Sequence, residues 1–166
     1  MKALFAALLL TALPVAGHAE ALALKTGAWE LKKRTAITGV PIAKEVLEKS
    51  TPAQRDEMQV ALRAQADDGD RQKTRSCLTA AALASGDLLG DLKPNCTRKV
   101  KSQTTRYLEL EENCAAPETS RAIIRFEAAS VEGYTGSIDR TVGNGTITVQ
   151  VTGRWVGPTC AETPAN

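Results

Sequence analysis

The sequence predicts a domain of the α+β class that is mainly β: a curved antiparallel sheet or partial barrel, with one or two helices packed on its side and two disulfides. Three observations support this prediction. Apolar and polar residues alternate with a period of two over most of the chain from residue 97 onwards. Helical spacing is largely confined to residues 42–66. Four cysteines follow an N-terminal segment of the type that directs export.

The first nineteen residues have the pattern of a cleaved signal peptide. Lys2 supplies the positive charge, and residues 3–13 form an apolar run. This run is shorter than the ~20 apolar residues that a bilayer-spanning helix needs. Small residues predict cleavage after Ala19, before Glu20, and a cut after Ala21 also fits the pattern.

Removal of this segment would leave a mature chain without histidine, because His18 is the only one. Serine and cysteine nucleophiles that depend on a neighbouring imidazole are therefore excluded. The remaining 20 basic and 19 acidic residues give a net charge of +1, which provides no general attraction to nucleic acid. We expect a signal peptide at residues 1–19, then a single disulfide-bonded β-rich domain at residues 20–166 with no transmembrane anchor.

The mature chain is predicted to open with a strand over residues 27–38. Its odd-numbered positions from Trp29 to Ile37 share one face, and the even-numbered positions share the other. Lys33 interrupts the apolar face. We therefore expect Lys33 to lie at a sheet edge or to hold its amine in water.

Residues 42–66 are predicted to be helical. Thr51 is a helix cap, and Gln54 completes a capping box. The helix has a narrow stripe of Met58, Ala61, Leu62 and Gln65, so we expect it to lie on the surface of the sheet. The acidic segment at residues 67–70 is expected to end it.

The rest of the chain is predicted to form strands and turns. A short Ala-rich helix is expected to follow Thr79 and to end at Gly86. Residues 97–112 form either one long strand or two strands paired through residues 102–104. The alternating segments that follow are residues 121–128, 134–139 and 146–155, with Gly143-Asn144-Gly145 as a hairpin turn between the last two.

The four cysteines, Cys77, Cys96, Cys114 and Cys160, predict two disulfides. An even number of cysteines in an exported chain favours disulfides over free thiols. Thiolate metal sites usually place cysteines two to four residues apart, and no two of these lie so close. Three pairings are open. We expect Cys77–Cys96 with Cys114–Cys160, because the first pair would close a short loop.

No motif identifies a catalytic, cofactor-binding or metal site, and we predict none. The acidic residues at 67–70 lack the spacing and the closing glutamate of a calcium loop, so an exposed helix end is favoured. Glu109, Glu111 and Glu112 are the candidates for paired hydrolytic carboxylates, but a solvated strand end is the favoured explanation.

Aromatic and basic residues supply the remaining candidates for contacts. Three aromatic residues are predicted to lie on apolar strand faces: Trp29, Tyr134 and Trp155. They are either core residues or aromatic residues that contact a ligand. Two groups of basic residues are best explained as a charged, solvated strand surface. The alternative is that they bind an anionic partner such as lipopolysaccharide or lipid phosphate. These groups are Lys32, Lys33 and Arg34, and Arg98, Lys99, Lys101 and Arg106.

Short motifs also occur in a recognisable order: Gly27-x-Trp29-Glu30, Thr51-Pro52-Ala53-Gln54-Arg55, Cys77-Leu78-Thr79, Cys96, Cys114, and Gly153-Arg154-Trp155-Val156-Gly157 with Cys160. Over residues 27–160 their order and spacing resemble the exported bacterial family known as domain of unknown function 3617. The closing segment departs from the pattern, with Trp155-Val156 where a leucine often precedes the glycine. The resemblance implies a periplasmic, disulfide-bonded domain of unassigned role, and it supplies no active-site residues.

The function expected from these observations is that of a non-enzymatic periplasmic module. Such a module would bind a small or envelope-derived ligand, or another periplasmic protein, through its curved sheet. A structural or stress-linked envelope protein that acts through an exposed apolar surface is the alternative. A hydrolase based on carboxylates is the third possibility, and it requires two acids that converge in a cleft.

Overall fold

The computed structural model describes residues 20–71, 73–86, 88, 93–117 and 119–160. The predicted signal peptide, residues 1–19, lies outside the described residues. Within them the chain forms seven strands and three helices, in the order β1 (Gly27–Val40), α1 (Lys44–Lys49), α2 (Pro52–Arg71), β2 (Lys73–Leu78), α3 (Ala80–Ser85), β3 (Cys96–Gln103), β4 (Tyr107–Cys114), β5 (Ser120–Ser130), β6 (Gly133–Val142) and β7 (Asn144–Gly157).

The strands form one open, curved sheet in the order β2-β1-β7-β6-β5-β4-β3. Every neighbouring pair is antiparallel. The predicted fold class is therefore confirmed. Strands β3 to β7 form a meander, and β1 pairs with β7 along nearly its whole length.

The two faces of the sheet differ in polarity. The face that carries Trp29, which we call the inner face, contributes most of the core. Five leucines that lie outside strands β1 and β3–β7 belong to the same core: Leu22, Leu24, Leu78, Leu83 and Leu88. The opposite, outer face is charged, with Glu30 between Lys73 and Arg154 as an example. Alternation along the strands therefore buries one face, as the sequence predicted.

The core fills one end of the inner face, which we call the closed end. Residues 20–26 lie there, since the Ala23 and Lys25 amides donate to the carbonyls of Thr105 and Val131, in the β3–β4 and β5–β6 turns. Two aromatic rings lie close over glycines on neighbouring strands. A Cβ at Gly136 would come within 2.5 Å of Phe126, and one at Gly153 within 2.2 Å of Tyr134. Glycine at these positions thus allows the rings to lie against the sheet.

The start of the long helix agrees with its prediction, and its end does not. The Thr51 amide donates to the Gln54 side chain at 2.9 Å, and the Gln54 amide donates to the Thr51 hydroxyl at 3.3 Å, which confirms the capping box. Arg55 donates to the carbonyl of Leu47 at the end of α1. The helix continues to Arg71, so the prediction that residues 67–70 end it is wrong.

The β6–β7 hairpin turn and the short helix are confirmed. Of the two alternatives for residues 97–112, the structure has two paired strands, β3 and β4, but their turn lies at residues 104–106 and not at the predicted residues 102–104. Gly143 has a φ of +53° in the β6–β7 hairpin. Thr79 caps α3, and Gly86 ends it in the left-handed conformation. Strand β2 was not predicted, because most of its residues are polar, and its pairing with β1 defines it.

The disulfide pairing differs from the expectation of Cys77–Cys96 and Cys114–Cys160. The structure joins Cys77 to Cys160, which we call the long-loop disulfide, and Cys96 to Cys114, the hairpin disulfide. Cys96 lies directly opposite Cys114 in the β3–β4 register. β2 and β7 flank β1 on its two sides, so Cys77 and the segment after Gly157 meet at the same end of β1. Strand register, not loop length, therefore decides the pairing.

None of the described helices has the length and apolar character that a membrane-spanning helix needs.

Candidate functional site

A cavity of about 930 Å³ lies on the inner face at the end of the sheet opposite the closed end. This open end carries the β6–β7 turn and the exit from β1 into α1. Apolar side chains from the sheet, from the helices and from the segments between elements make up most of the wall. They are Leu31, Pro41, Ile42, Ala43, Val46, Met58, Ala61, Leu62, Leu88, Pro117, Ile138, Val142, Ile147, Val149 and Val151.

Helix α2 faces this cavity with the stripe that the sequence singled out. Met58, Ala61, Leu62 and Gln65 all line the cavity. No described side chain of α2 is buried, although the helix packs against β1. The prediction that α2 lies on the surface of the sheet is therefore confirmed, and its apolar stripe borders open space.

A row of charged residues crosses the inner face at the rim of the cavity. Arg98, Glu112, Ala122 and Arg140 are successive cross-strand partners on β3, β4, β5 and β6. Glu112 accepts hydrogen bonds from Arg98 Nε and Nη2, at 3.1 and 2.7 Å. It also accepts one from Arg140 Nη2, at 2.6 Å. The small side chain of Ala122 leaves room for Arg140 to reach across β5.

Glu112 is a charged residue that is almost completely buried, with only 4% of its surface exposed. Burial alone would raise the pKa of Glu112, because it disfavours the carboxylate. The hydrogen bonds and charges of Arg98 and Arg140 outweigh burial and lower the pKa below its ordinary value. Glu112 is therefore a carboxylate at neutral pH, and two guanidinium groups donate hydrogen bonds to it.

Three charged residues interrupt apolar faces, and all three line the cavity: Lys33 on β1, Glu112 on β4 and Arg140 on β6. Sequence analysis noticed only Lys33. It lies beyond the part of β1 that pairs with β2 and is exposed, as predicted. Glu112 follows Leu108 and Leu110 on the inner face, and this break in the alternation was the available signal.

The aromatic candidates occupy different positions. Trp29 is completely buried, and its indole N–H donates to the carbonyl of Lys25 at 3.0 Å. Trp155 is partly buried at the closed end, donates to the carbonyl of Thr26 and lies under the Lys25 amine. Tyr134 lines the cavity, and burial raises its pKa to about 12. Tyr134 is thus the one candidate of the three that can contact a ligand in this cavity.

The carboxylate candidates do not converge. Alternation places Glu112 on the inner face and Glu109 and Glu111 on the outer face. Hydrogen bonds from Tyr107 and Arg125 lower the pKa of Glu109. A hydrogen bond from Asn113 is the largest cause that lowers the pKa of Glu111. A general acid needs a raised pKa, so these three residues do not form the pair that a glycosidase requires.

The two basic groups are divided between the faces. Lys33 and Arg98 line the cavity. Lys32 is exposed and lines a shallow outer-face depression with Lys73 and Arg154, while Lys101 pairs with Glu111. The basic groups of the sequence are therefore not single patches in the structure.

Cys96, Glu112 and Cys114 form the only cluster of three potential metal ligands among the described residues, with their ligand atoms within 4.8 Å of one another. Both sulfurs belong to the hairpin disulfide, so neither is a thiolate. The acidic residues Asp67 and Asp68 lie in the last turns of α2 and not in a loop that could wrap an ion.

The motifs that run along the chain build the scaffold and do not line the cavity. Thr51 and Gln54 cap α2, Thr79 caps α3, and Gly153 receives the ring of Tyr134. Neither a curated protein nor a solved structure matches the chain significantly. The sequence profile of a family described as "protein of unknown function (DUF3617)" matches residues 24–160. Since this match covers most of the chain, the protein belongs to the DUF3617 family.

Proposed function

We propose that this protein is an exported, non-enzymatic module that binds a small apolar or amphipathic ligand in the cavity between the sheet and α2. The single observation that carries the proposal is the cavity itself, with about 930 Å³ of space and a mostly apolar wall. Ligand sites of roughly 300–1,000 Å³ with apolar walls and a few polar groups are typical of small-molecule binding.

The exposed stripe of α2 supports the proposal. An amphipathic helix normally buries its apolar stripe against the rest of the fold. Here Met58 and Leu62 border the cavity, so their apolar surface stays in contact with water while the cavity is empty of ligand. A ligand between α2 and the sheet would remove this surface from water, which is favourable.

The alternative of a surface-acting envelope protein fits the geometry less well. It requires a sheet without a cavity and a contiguous exposed apolar patch. The exposed large apolar residues of the described chain lie on different elements: Val46 on α1, Val60 on α2, Val100 on β3, Val131 in the β5–β6 turn and Val156 on β7. Scattered residues of this kind are normal on a protein surface.

Export to the periplasm, with a signal peptide at residues 1–19 and one domain from residue 20, is part of the proposal. Two disulfides favour an oxidising compartment. Leu22 and Leu24 are core residues, so cleavage after Ala19 or Ala21 would keep the core intact. Mass spectrometry of the protein from a bacterial periplasm should find one of these two N-termini, and an N-terminus at Met1 would contradict this part of the proposal.

The binding function can be tested with N-phenyl-1-naphthylamine, an uncharged dye that fluoresces in apolar sites. The wild-type protein should bind the dye. Ala61→Trp places a large ring in the cavity wall and should weaken binding at least fivefold. Val60→Trp is the matched control, because Val60 immediately precedes Ala61 on α2, is 69% exposed and does not line the cavity. No binding by the wild type, or equal binding by both variants, would refute the proposal.

A further inference from the structure

The hydroxyl group of Tyr134 is buried and has no partner in the fold. Only 2% of the residue is exposed. No hydrogen bond joins its hydroxyl to the part of the chain that the structure describes. The chain's other tyrosine, Tyr107 on the outer face of β4, donates to Glu109 at 2.8 Å. Buried polar side chains nearly always have a hydrogen-bond partner, so the free hydroxyl of Tyr134 needs an explanation.

The ring of Tyr134 carries this hydroxyl to the floor of the cavity. Tyr134 lies opposite Gly153 on β7, and Gly153 lies opposite Leu31 on β1. The carbon that bears the hydroxyl, Cζ, lies over Gly153, because a Cβ at Gly153 would collide with it. The ring therefore reaches across β7 towards β1. Since Tyr134 and Leu31 both line the cavity, a ligand on its floor can contact the hydroxyl.

The hydroxyl is available as a neutral hydrogen-bond donor in an apolar environment. Burial raises the pKa of Tyr134 to about 12, so the phenol keeps its proton at neutral pH. Ile138 follows Tyr134 on the same face of β6, with Val149 opposite it on β7, and both line the cavity. A charged group on this floor would lose its hydration at a much greater cost than a neutral oxygen. A ligand oxygen can accept the phenol proton, whereas a ligand N–H would leave that proton unpaired.

We propose that the ligand has an apolar body with an uncharged carbonyl oxygen, and that this oxygen accepts a hydrogen bond from the Tyr134 hydroxyl on the cavity floor. The apolar body lies over Ile138 and Val149, towards the open end. The strand rises about 13 Å from Tyr134 to Ile138, so an alkyl chain of medium length fits along it. This inference rests on the proposed function, because it names the class of ligand for the same cavity.

Two ligands of the same shape test the role of this oxygen. 2-Octanone and 2-methyl-1-octene differ only in the group that is double-bonded to the second carbon, which is an oxygen in one and a methylene in the other. Displacement of N-phenyl-1-naphthylamine gives the affinity of each for the wild type and for Tyr134→Phe. The variant should bind 2-octanone about five- to twentyfold more weakly, because the carbonyl is left without a donor. Its affinity for the alkene should change by less than about twofold, since the alkene accepts no hydrogen bond.

Tyr107→Phe is the matched control, because it removes the same atom from the only other tyrosine of the chain, on the outer face. It should change neither affinity. Infrared spectra of 2-octanone labelled with carbon-13 at the carbonyl report on the hydrogen bond itself. The C=O band of the bound ketone should lie at lower wavenumber in the wild type than in Tyr134→Phe. An identical band in both proteins would contradict direct contact.

The unpaired state of the hydroxyl has a separate test. Removal of a buried hydroxyl that lacks a partner is neutral or stabilising, whereas removal of one that is hydrogen-bonded in the fold costs stability. Tyr134→Phe should therefore unfold at the same urea concentration as the wild type or at a higher one. A clear loss of stability, or failure to fold, would show that the hydroxyl is bonded within the protein and would overturn the inference.

The outcomes separate this inference from the proposed function. If the dye binds, but Tyr134→Phe changes the affinities for the ketone and the alkene equally, the inference is overturned while the proposed function stands. The same holds if the dye binds and 2-octanone does not displace it. If the wild type binds neither the dye nor the two compounds, both fail.

Discussion

Replacement of Glu112 by glutamine tests whether the charged row at the cavity rim also stabilises the fold. The carboxylate is 4% exposed and accepts three hydrogen bonds from Arg98 and Arg140. Removal of one partner from a fully buried ion pair costs about 3–5 kcal/mol. The arginine side chains are 13% and 31% exposed, so water in the cavity can hydrate them and reduce the cost. We expect Glu112→Gln to lower the free energy of unfolding by about 2–3 kcal/mol at pH 7.

The pH dependence gives this prediction a second, independent measurement. The pKa of Glu112 in the folded protein is below its ordinary value of 4.5. A carboxyl group of this kind stabilises the fold above its unfolded pKa, and the contribution is lost as the pH falls through its folded pKa. The difference in stability between wild type and Glu112→Gln should therefore be constant above about pH 5.5 and should shrink as the pH falls below about 4.5.

Urea denaturation followed by tryptophan fluorescence measures both effects, because Trp29 is completely buried in the core. Glu111→Gln is the matched control. Glu111 is the preceding residue of β4 and pairs with Arg121 and Lys101 on the outer face, where water screens the charges. The control should be much less destabilised. An equal loss in both variants, or a loss in Glu112→Gln that persists unchanged to about pH 3, would refute the reasoning.

Three further predictions concern the scaffold. Gly153→Ala places a Cβ 2.2 Å from the Tyr134 ring and should cost about 1–3 kcal/mol in urea denaturation, whereas Gly157→Ala, with no other atom within 4 Å of its Cβ, should be nearly neutral. Replacing both cysteines of the long-loop disulfide by serine should cost about 4.5 kcal/mol, against about 3 kcal/mol for the hairpin disulfide, since the cysteines are 83 and 18 residues apart. In hydrogen exchange without ligand, the backbone amides of α2 should be much less protected than those of β5, and they should gain protection when N-phenyl-1-naphthylamine binds.

The architecture could be predicted because it depends on local patterns. Alternation over residues 121–128 and 146–155 specifies strands with one buried face, and the residues around Thr51 specify a helix start. Strand β2 was missed because residues 73–78 are mostly polar, and only their position beside β1 makes them a strand. The disulfide pairing was wrong for the same reason: sequence distance does not show that β2 and β7 flank β1.

The candidate site was partly visible in the sequence. Glu109, Glu111 and Glu112 were considered together as an acidic run, although alternation separates Glu112 from the other two. A test of each charged residue against the face of its strand would have selected Glu112 and Arg140 as well as Lys33. That these residues meet Arg98 in one row follows from the register of four strands, which no local pattern contains.

The distribution of stabilising contacts explains how this fold could take up the proposed ligand without being remodelled. Trp29 and Phe126 fill the closed end, with the N-terminal segment over them, and Tyr134 packs against both rings while it also lines the cavity. The open end instead has a long helix with no buried side chain among those described and a rim of charges. Because the closed end supplies most of the core, the open end can remain unfilled. A ligand present at a hundred times its Kd would add about 2.7 kcal/mol of stability, and α2, whose stripe borders the cavity, should receive most of the added order.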